Sequence, residues 1–177
     1  MIRVLLATLI LLSLGGCVGL PENIMPVQGF ELQRYLGKWY EVARLDHSFE
    51  RGLEQVTADY SLRQDGGVRV INKGYSIKNG ELQEAEGRAY FVHGEDQGYL
   101  KVSFFGPFYG SYVIFKLDKE DYQYAFVAGP DKSYLWLLSR KPTISAALMN
   151  DFITTATTLG FDTDNLILVR QTEGKQP

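Results

Sequence analysis

The chain has 177 residues, of which 45% are hydrophobic and 13% aromatic, and a formal net charge of −3. This length suits one domain with a full core, and no repeat or linker indicates a second. The mixed charges exclude nucleic acid as a partner, because phosphate binding requires clustered basic residues. The single cysteine excludes an internal disulfide.

The amino terminus is typical of an export signal. Met1–Arg3 supplies positive charge, and the apolar run Val4–Leu14 is too short to span a bilayer. Leu14-Gly15-Gly16-Cys17 resembles the lipobox that lipoprotein signal peptidase cleaves. We therefore predict a signal peptide over residues 1–16 and lipidation of Cys17. The alternatives are an ordinary signal peptide with an incidental cysteine and a buried free thiol.

Lipidation would determine where the protein resides. More than one acyl chain gives stable anchoring where a single chain is marginal. Val18 stands where the inner-membrane retention signal has Asp, so the resemblance implies the outer membrane, with the domain facing the periplasm. Residues 17–28, which include Pro21 and Pro26, are predicted to form the lipidated terminus and a short tether.

Eight short segments of alternating hydrophobicity follow, separated by Gly and Asp turns. This pattern predicts an antiparallel barrel or sandwich. The turns at 64–67 and 78–80 are expected to be hairpins, because Gly and Asn tolerate positive φ. The predicted strands are 39–45, 55–63, 68–77, 82–92, 99–105, 111–117, 122–127 and 134–140.

A helix and a last strand are predicted near the carboxyl terminus. Residues 144–159 carry apolar side chains at helical spacing, and Gly160 is a natural stop. One amphipathic helix after eight strands is expected to bury its apolar face against the outside of the sheet. A ninth strand is predicted at 166–169, and residues 172–177 are predicted to be a tail.

Three residues carry a family resemblance. Gly37 and Trp39 open the first strand, and Arg140 ends the eighth. They resemble the lipocalin signature, in which the glycine permits close packing, the tryptophan plugs one barrel end and the arginine stacks on the indole. Pro130-Asp131-Lys132 departs from the Thr-Asp of the family's second motif. The resemblance implies a lipocalin domain over 29–171.

The resemblance sets the expected fold and function. It implies an all-β protein, an eight-stranded antiparallel up-and-down barrel with one carboxyl-terminal helix packed outside and a short ninth strand. It also implies a lipid-binding protein that stores, carries or scavenges fatty acids or lysophospholipids for envelope maintenance under stress. A homodimer is a further expectation. The alternatives are an envelope interaction protein with a filled barrel and a lipid-modifying enzyme.

Strand alternation predicts which side chains line the barrel. If Trp39 points inward, the residues two apart along each strand share its face. Small residues among them favour a cavity, because an eight-stranded barrel is just wide enough to be filled or to hold one small ligand. The expected lining is Ala43, Leu45, Val56, Ala58, Tyr60, Gly87, Ala89, Phe91, Leu100, Val102, Phe104, Tyr112, Ile114, Tyr134 and Trp136.

A polar ligand head would remain at the open mouth. Its possible partners, each otherwise a surface charge, are Arg44, Arg51, Lys78 and Arg88. The loop tip of Phe105, Phe108 and Tyr109 is apolar and is either a lipid contact or packing at the edge of the core.

Catalytic chemistry has little support in the sequence. His47 and His93 are too few for a zinc site, and no metal or other cofactor is predicted. The isomerase activity known in the family uses a cysteine inside the barrel, whereas Cys17 lies outside it. A lipid-modifying enzyme would need a base such as Glu41 or His93. Glu41 shares the inward face of Trp39, so either a bulge turns it outward or it is paired.

Overall fold

The protein folds as nine strands and two α-helices within residues 18–171, the part of the chain that its structure, a computed structural model, describes. The helices are α1 (Leu32–Tyr35) and α2 (Ala146–Thr158), with a 3-10 turn at Thr163–Asn165. The strands are β1 (Gly37–Arg44), β2 (Leu53–Leu62), β3 (Val68–Ser76), β4 (Leu82–Phe91), β5 (Tyr99–Ser103), β6 (Gly110–Leu117), β7 (Tyr124–Ala128), β8 (Leu135–Ser139) and β9 (Ile167–Leu168).

The strands form a closed barrel. Each of β1 to β8 pairs antiparallel with its neighbours in sequence, and β1 pairs with both β2 and β8, which completes the ring. The ninth strand adds to β1 through the pairs Ala43 with Leu168 and Arg44 with Ile167. The prediction of an eight-stranded antiparallel barrel with one carboxyl-terminal helix and a short ninth strand is confirmed.

The wall is irregular where β1 and β2 meet. They pair only from Gly37 to Tyr40 of β1. Farther along β1, at Ala43 and Arg44, β9 is the neighbour instead. The side-chain amide of Gln171 bridges the separated strands, with Nε2 2.7 Å from the Glu41 carbonyl oxygen and 2.9 Å from that of Val56. A bulge in β1 between Glu41 and Ala43 accompanies this separation.

Two apolar clusters lie on opposite sides of the wall. The interior cluster contains Trp39, Tyr60, Ala89 and Leu100, and the outer cluster lies beneath α2. The helix contributes Phe152, which is fully buried and meets the ring of Phe126 edge to face at 4.9 Å. Within residues 18–171, no helix is both long enough and apolar enough to cross a membrane.

The start of α2 is also fixed by a specific contact. Ser145 caps the helix, with Oγ accepting a hydrogen bond from the Leu148 amide at 3.2 Å. The predicted helix is therefore correct in position, although it begins at Ala146 rather than at residue 144.

One end of the barrel is closed by the signature residues. Trp39 is fully buried, its Nε1 donates to the Tyr35 carbonyl at 2.8 Å, and the Arg140 guanidinium lies 3.9 Å from its ring centre. Arg140 also donates to the carbonyls of Lys38, Arg34 and Leu36 at 2.8 to 2.9 Å. Gly37 has φ of 88°, a conformation that favours glycine, and faces this arginine. The arginine thus ties α1 across the closed end.

The opposite end is open. Because β1, β3, β5 and β7 run away from the closed end, the four loops that follow them meet there. These loops are residues 45–52, 77–81, 104–109 and 129–134. The open end therefore gives access to the interior.

Candidate functional site

Most of the predicted lining faces the interior of the barrel. Ten of these residues belong to the interior cluster: Ala58, Tyr60, Ala89, Phe91, Leu100, Val102, Phe104, Tyr112, Ile114 and Trp136. Gly87 is inward as well, since a Cβ built on it would lie 2.8 Å from the Phe104 ring. Val56 is buried beside inward-facing Gly74. Tyr134 precedes β8, and its ring stacks on Trp136 with centres 6.1 Å apart, toward the mouth.

The prediction was wrong for Ala43 and Leu45. Both belong to the outer cluster, beneath α2 and the segments around it. The bulge in β1 is the reason, because an extra residue places Val42 and Ala43 on the same outer side and reverses the alternation after them. Arg44, offered as a mouth residue, consequently points inward and is 1% exposed.

The interior retains accessible surface. Phe91, Val102, Phe104, Tyr112 and Trp136 pack on the interior cluster yet are only partly buried. If the interior were filled by its own side chains, such large residues would be fully buried, as Phe126 and Phe152 are in the outer cluster. The inward surface is thus an apolar lining that its own side chains leave partly uncovered.

The wall of the mouth is incomplete beside β4. β5 pairs only with the last four residues of β4, Arg88–Phe91, so the preceding part of that strand lacks a β5 neighbour. Ala85 lies there on the inward face, opposite Asn72, and is exposed. A ligand can therefore reach the lining past Ala85.

Three tyrosine hydroxyls form a polar spot on this lining. The Tyr112 hydroxyl lies 2.7 Å from that of Tyr35 and 2.8 Å from that of Tyr60. Burial raises the pKa of all three phenols above the ordinary value, so they are neutral hydrogen-bonding groups. Tyr35 was missed by the sequence reasoning because it precedes the first predicted strand.

A buried polar network lies beneath the mouth. Arg44 Nη1 donates to Glu41 Oε1 at 2.7 Å, and Nη2 donates to the Glu50 carbonyl at 2.8 Å. Glu50 Oε2 accepts from Trp136 Nε1 at 3.0 Å and lies 2.9 Å from His47 Nε2. Glu41, Arg44, His47 and Glu50 are all at most 6% exposed. Glu41 therefore points inward and is paired, the second of the two outcomes left open by the sequence.

The two carboxyl groups of this network have pKa values shifted in opposite directions. Burial raises the pKa of Glu41 well above its ordinary value, and the neighbouring Glu50 carboxylate adds to the effect against the influence of Arg44. Burial also acts to raise the pKa of Glu50, but its contacts with His47, Trp136 and Glu41 outweigh this and lower it. Folding therefore favours the protonated form of Glu41 and the ionised form of Glu50, whose Oε2 lies 2.9 Å from His47 Nε2.

Glu41→Gln is expected to flatten the dependence of stability on pH. Because folding raises the pKa of Glu41, the folded state binds more protons than the unfolded state. Its contribution to stability is complete below the unfolded pKa of about 4.3 and is lost as pH rises through the folded pKa. The slope approaches about 1.4 kcal/mol per pH unit. Urea unfolding of both proteins from pH 5 to 9 measures this, with the exposed Glu95→Gln as control. A wild-type slope unchanged in Glu41→Gln would contradict the assignment.

The remaining predicted polar partners are dispersed. Arg51 is exposed and paired with Asp46 at 2.8 Å, and Arg88 projects outward toward the Tyr109 ring. His93 is exposed and contacts Tyr99. Across the described range, no group of three or more His, Cys, Asp and Glu side chains is arranged to hold a metal ion. Cys17, the signal segment 1–16 and the tail 172–177 lie outside the described residues.

Known proteins share this barrel and its sequence. Residues 30–171 match the Lipocalin-like domain. The outer membrane lipoprotein Blc of Vibrio cholerae is 64% identical over 158 residues, covering 89% of this chain and 92% of that protein. Blc of Escherichia coli K12 is 54% identical over 151 residues, covering 85% of each. Insecticyanin of the tobacco hornworm superposes with a TM-score of 0.69 at 23% identity, covering 88% of each chain.

The chain belongs to the lipocalin family. Within it, the chain is similar to the bacterial outer-membrane lipoproteins, at 54 to 64% identity over most of both chains. The predicted location at the outer membrane is thereby confirmed. The hornworm protein supports the fold alone.

Proposed function

We propose that this lipocalin binds one fatty acid or lysophospholipid in its barrel, as part of envelope maintenance under stress. The observation that carries the proposal is the inward wall, which is apolar and aromatic yet only partly buried at Phe91, Val102, Phe104, Tyr112 and Trp136. Such a wall suits a hydrocarbon chain, and the tyrosine hydroxyls and the mouth suit a polar head. Homodimer formation stays a prediction.

The expected affinity is micromolar. Each methylene removed from water contributes about 0.8 kcal/mol, so a chain of about sixteen carbons contributes about 12 kcal/mol. Association costs about 4 to 15 kcal/mol, and a cost near the lower bound leaves about 8 kcal/mol, which corresponds to a Kd near 1 μM. A rigid, preformed barrel favours the lower cost.

We propose binding without catalysis. Glu41, one of the two candidate bases, is engaged by Arg44 and by Glu50 within the wall. His93, the other, is exposed against Tyr99. Glu41 is thus already paired, and His93 lies in the loop of residues 92–98 at the closed end. We also propose that Cys17 carries the lipid anchor, which intact-mass measurement of the purified protein tests directly.

Ala85→Trp is expected to weaken lipid binding about tenfold, equal to about 1.4 kcal/mol. The indole would project into the mouth where β4 lacks a β5 neighbour, and because Ala85 is exposed, the fold has no core contact to lose there. Native mass spectrometry and titration with palmitate and with lysophosphatidylcholine measure the change.

Glu84→Trp is the matched control. Glu84 is the preceding residue of β4, is exposed and points outward toward Lys73. We expect its affinity to stay within about twofold of the wild-type protein. Equal weakening by both substitutions, or binding unaffected by Ala85→Trp, would place the lipid outside the barrel and refute the proposal.

A further inference from the structure

We propose that the open end of the barrel rests on the phospholipid surface of the membrane, so that the mouth faces the bilayer. The surface concerned is an apolar rim, defined as Phe49, Ile77, Leu82, Phe105 and Phe108. These side chains are 55%, 65%, 48%, 77% and 65% exposed, respectively. They lie in, or directly beside, the loops that follow β1, β3 and β5, and all of these loops are at the open end.

The other end of the barrel has a different character. Its loops, residues 63–67, 92–98 and 118–123, contain no exposed large hydrophobic side chain, and beside them only Leu62, at the end of β2, is such a residue, at 52% exposed. The loop after β6 instead has four consecutive charged residues, Asp118-Lys119-Glu120-Asp121. The loop after β5, Phe104–Tyr109, has none. The loop after β5 can therefore enter the polar boundary of a bilayer without burying charge, while the charged residues of the neighbouring loops, such as Asp46, Arg51 and Lys78, stay among the polar headgroups.

The amino-terminal segment leads to the same end. Residues 18–30 run along the outside of the barrel as a strap. Toward the closed end of the barrel, the Phe30 amide donates to the Asp96 carbonyl at 2.8 Å, and the Val27 amide donates to the Ile114 carbonyl at 2.9 Å. At its other end, Gly19 exchanges two hydrogen bonds with the Ser111 hydroxyl, at 2.9 and 2.7 Å. Ser111 is the second residue of β6, directly after the loop that carries Phe105 and Phe108.

The direction of the strap determines which end of the barrel faces the membrane. Val18 packs on the outer cluster beside Gly19, at the open end. A membrane anchor on the preceding residue is one peptide unit away, and consecutive Cα atoms are about 3.8 Å apart. The strap is hydrogen-bonded along the barrel wall, so it provides no slack to turn the barrel over. The anchor that we propose on Cys17 and the apolar rim would thus approach the bilayer together.

The orientation would assist the proposed binding. A lipid could then move between the bilayer and the lining past Ala85 while its chain stays out of water. The docking itself does not require that binding, since it is argued from the rim and the strap. A partner of the same apolar character, such as the rim of a second copy, is the competing occupant.

The experiment uses the full-length lipidated protein in vesicles of phosphatidylethanolamine and phosphatidylglycerol whose acyl chains carry bromine. Trp136→Phe removes the tryptophan that a lipid within the barrel would quench. Trp39 remains as a constant background because it is fully buried at the closed end, and one added tryptophan reports depth. Phe105→Trp and Ile77→Trp report the rim, and Glu120→Trp reports the opposite end. We expect both rim reporters to lose fluorescence in brominated relative to unbrominated vesicles, and the Glu120→Trp signal to be unchanged.

The outcomes are separable from those of the lipid-binding test. Quenching of Glu120→Trp alone, or of no reporter, would overturn the orientation even if Ala85→Trp weakens palmitate binding as expected. Protection of the rim reporters together with cross-linking between rims would show a second copy there instead, which also overturns it. As a further check, Phe105→Ser with Phe108→Ser should reduce quenching of the Ile77→Trp reporter.

Discussion

Replacing Trp39 with alanine is expected to lower the free energy of unfolding by about 3 to 5 kcal/mol. The indole is fully buried, contacts the Tyr35 ring at 4.7 Å and donates to the Tyr35 carbonyl. Its loss leaves a cavity, an unpaired carbonyl and a guanidinium without its aromatic partner. Urea unfolding followed by circular dichroism measures the change.

Trp136→Ala is the matched control, since both tryptophans face the interior. Trp136 is only partly buried, so we expect a smaller loss of stability and a larger loss of lipid affinity. Combining Trp39→Ala with Arg140→Ala should give a coupling energy of about 0.5 to 2 kcal/mol, as expected for a shielded cation–π contact. Equal destabilisation by the two tryptophan substitutions would refute separate roles for the closed end and the lining.

Strand alternation predicts the lining well wherever the strands are regular. β4 is the clearest case, because Gly87, Ala89 and Phe91 all point inward and β4 pairs with β3 residue for residue from Leu82 to Ala89. The ends of strands are less certain, since β5 ends at Ser103 rather than at residue 105. Hydrophobicity continues there through Phe104 and Phe105, whereas the backbone pairing stops.

Bulges are what alternation cannot predict. In β1, Glu41 and Arg44 are an odd number of residues apart, so regular alternation places them on opposite faces. The bulge between them brings both side chains inward and into a 2.7 Å ion pair. The cause is tertiary, because β9 replaces β2 as the neighbour of β1 at this level. The pattern of residues 39–45 cannot predict this bulge, because the bulge accompanies pairing with residues 167–171.

The sequence indicates one member of the polar network and not the others. The inward phase of Glu41 predicts a buried carboxyl group that needs a partner, and Glu41 is indeed buried. The other members, His47 and Glu50, lie in a loop, where periodicity carries no information about direction. Only the fold of residues 45–52 over the barrel edge brings Glu50 to Trp136, which is 86 positions away in sequence.

These contacts connect the ligand site to the stability of the barrel. Trp136 presents its ring to the lining and its N–H to Glu50, so a substitution in the network also alters the wall near the mouth. The loop after β1 contributes Phe49 to the apolar rim and Glu50 to the buried network. Order in this loop therefore depends on buried charge, and the shape of the mouth depends on the loop.

Arg44→Met is expected to lower the free energy of unfolding by about 3 to 5 kcal/mol at neutral pH. Methionine fills much of the space of the arginine stem, but it leaves the buried Glu41 carboxyl without its 2.7 Å partner and two carbonyls, of Glu50 and Leu53, without a donor. Because protonation of Glu41 would relieve part of this cost, the loss should diminish as pH falls toward 4. Urea unfolding at pH 7 and pH 4.5 measures both effects.

Arg51→Met is the matched control for this experiment. Arg51 belongs to the same loop and has its own partner, Asp46, at 2.8 Å, but the two side chains are 63% and 43% exposed. Exposed pairs contribute about 0 to 1 kcal/mol, so we expect little change in stability at either pH. If Arg44→Met were as mild as Arg51→Met, the buried contacts of Arg44 with the Glu41 carboxyl and with the two carbonyls would contribute little to stability. The stabilising role assigned to Arg44 would then be wrong.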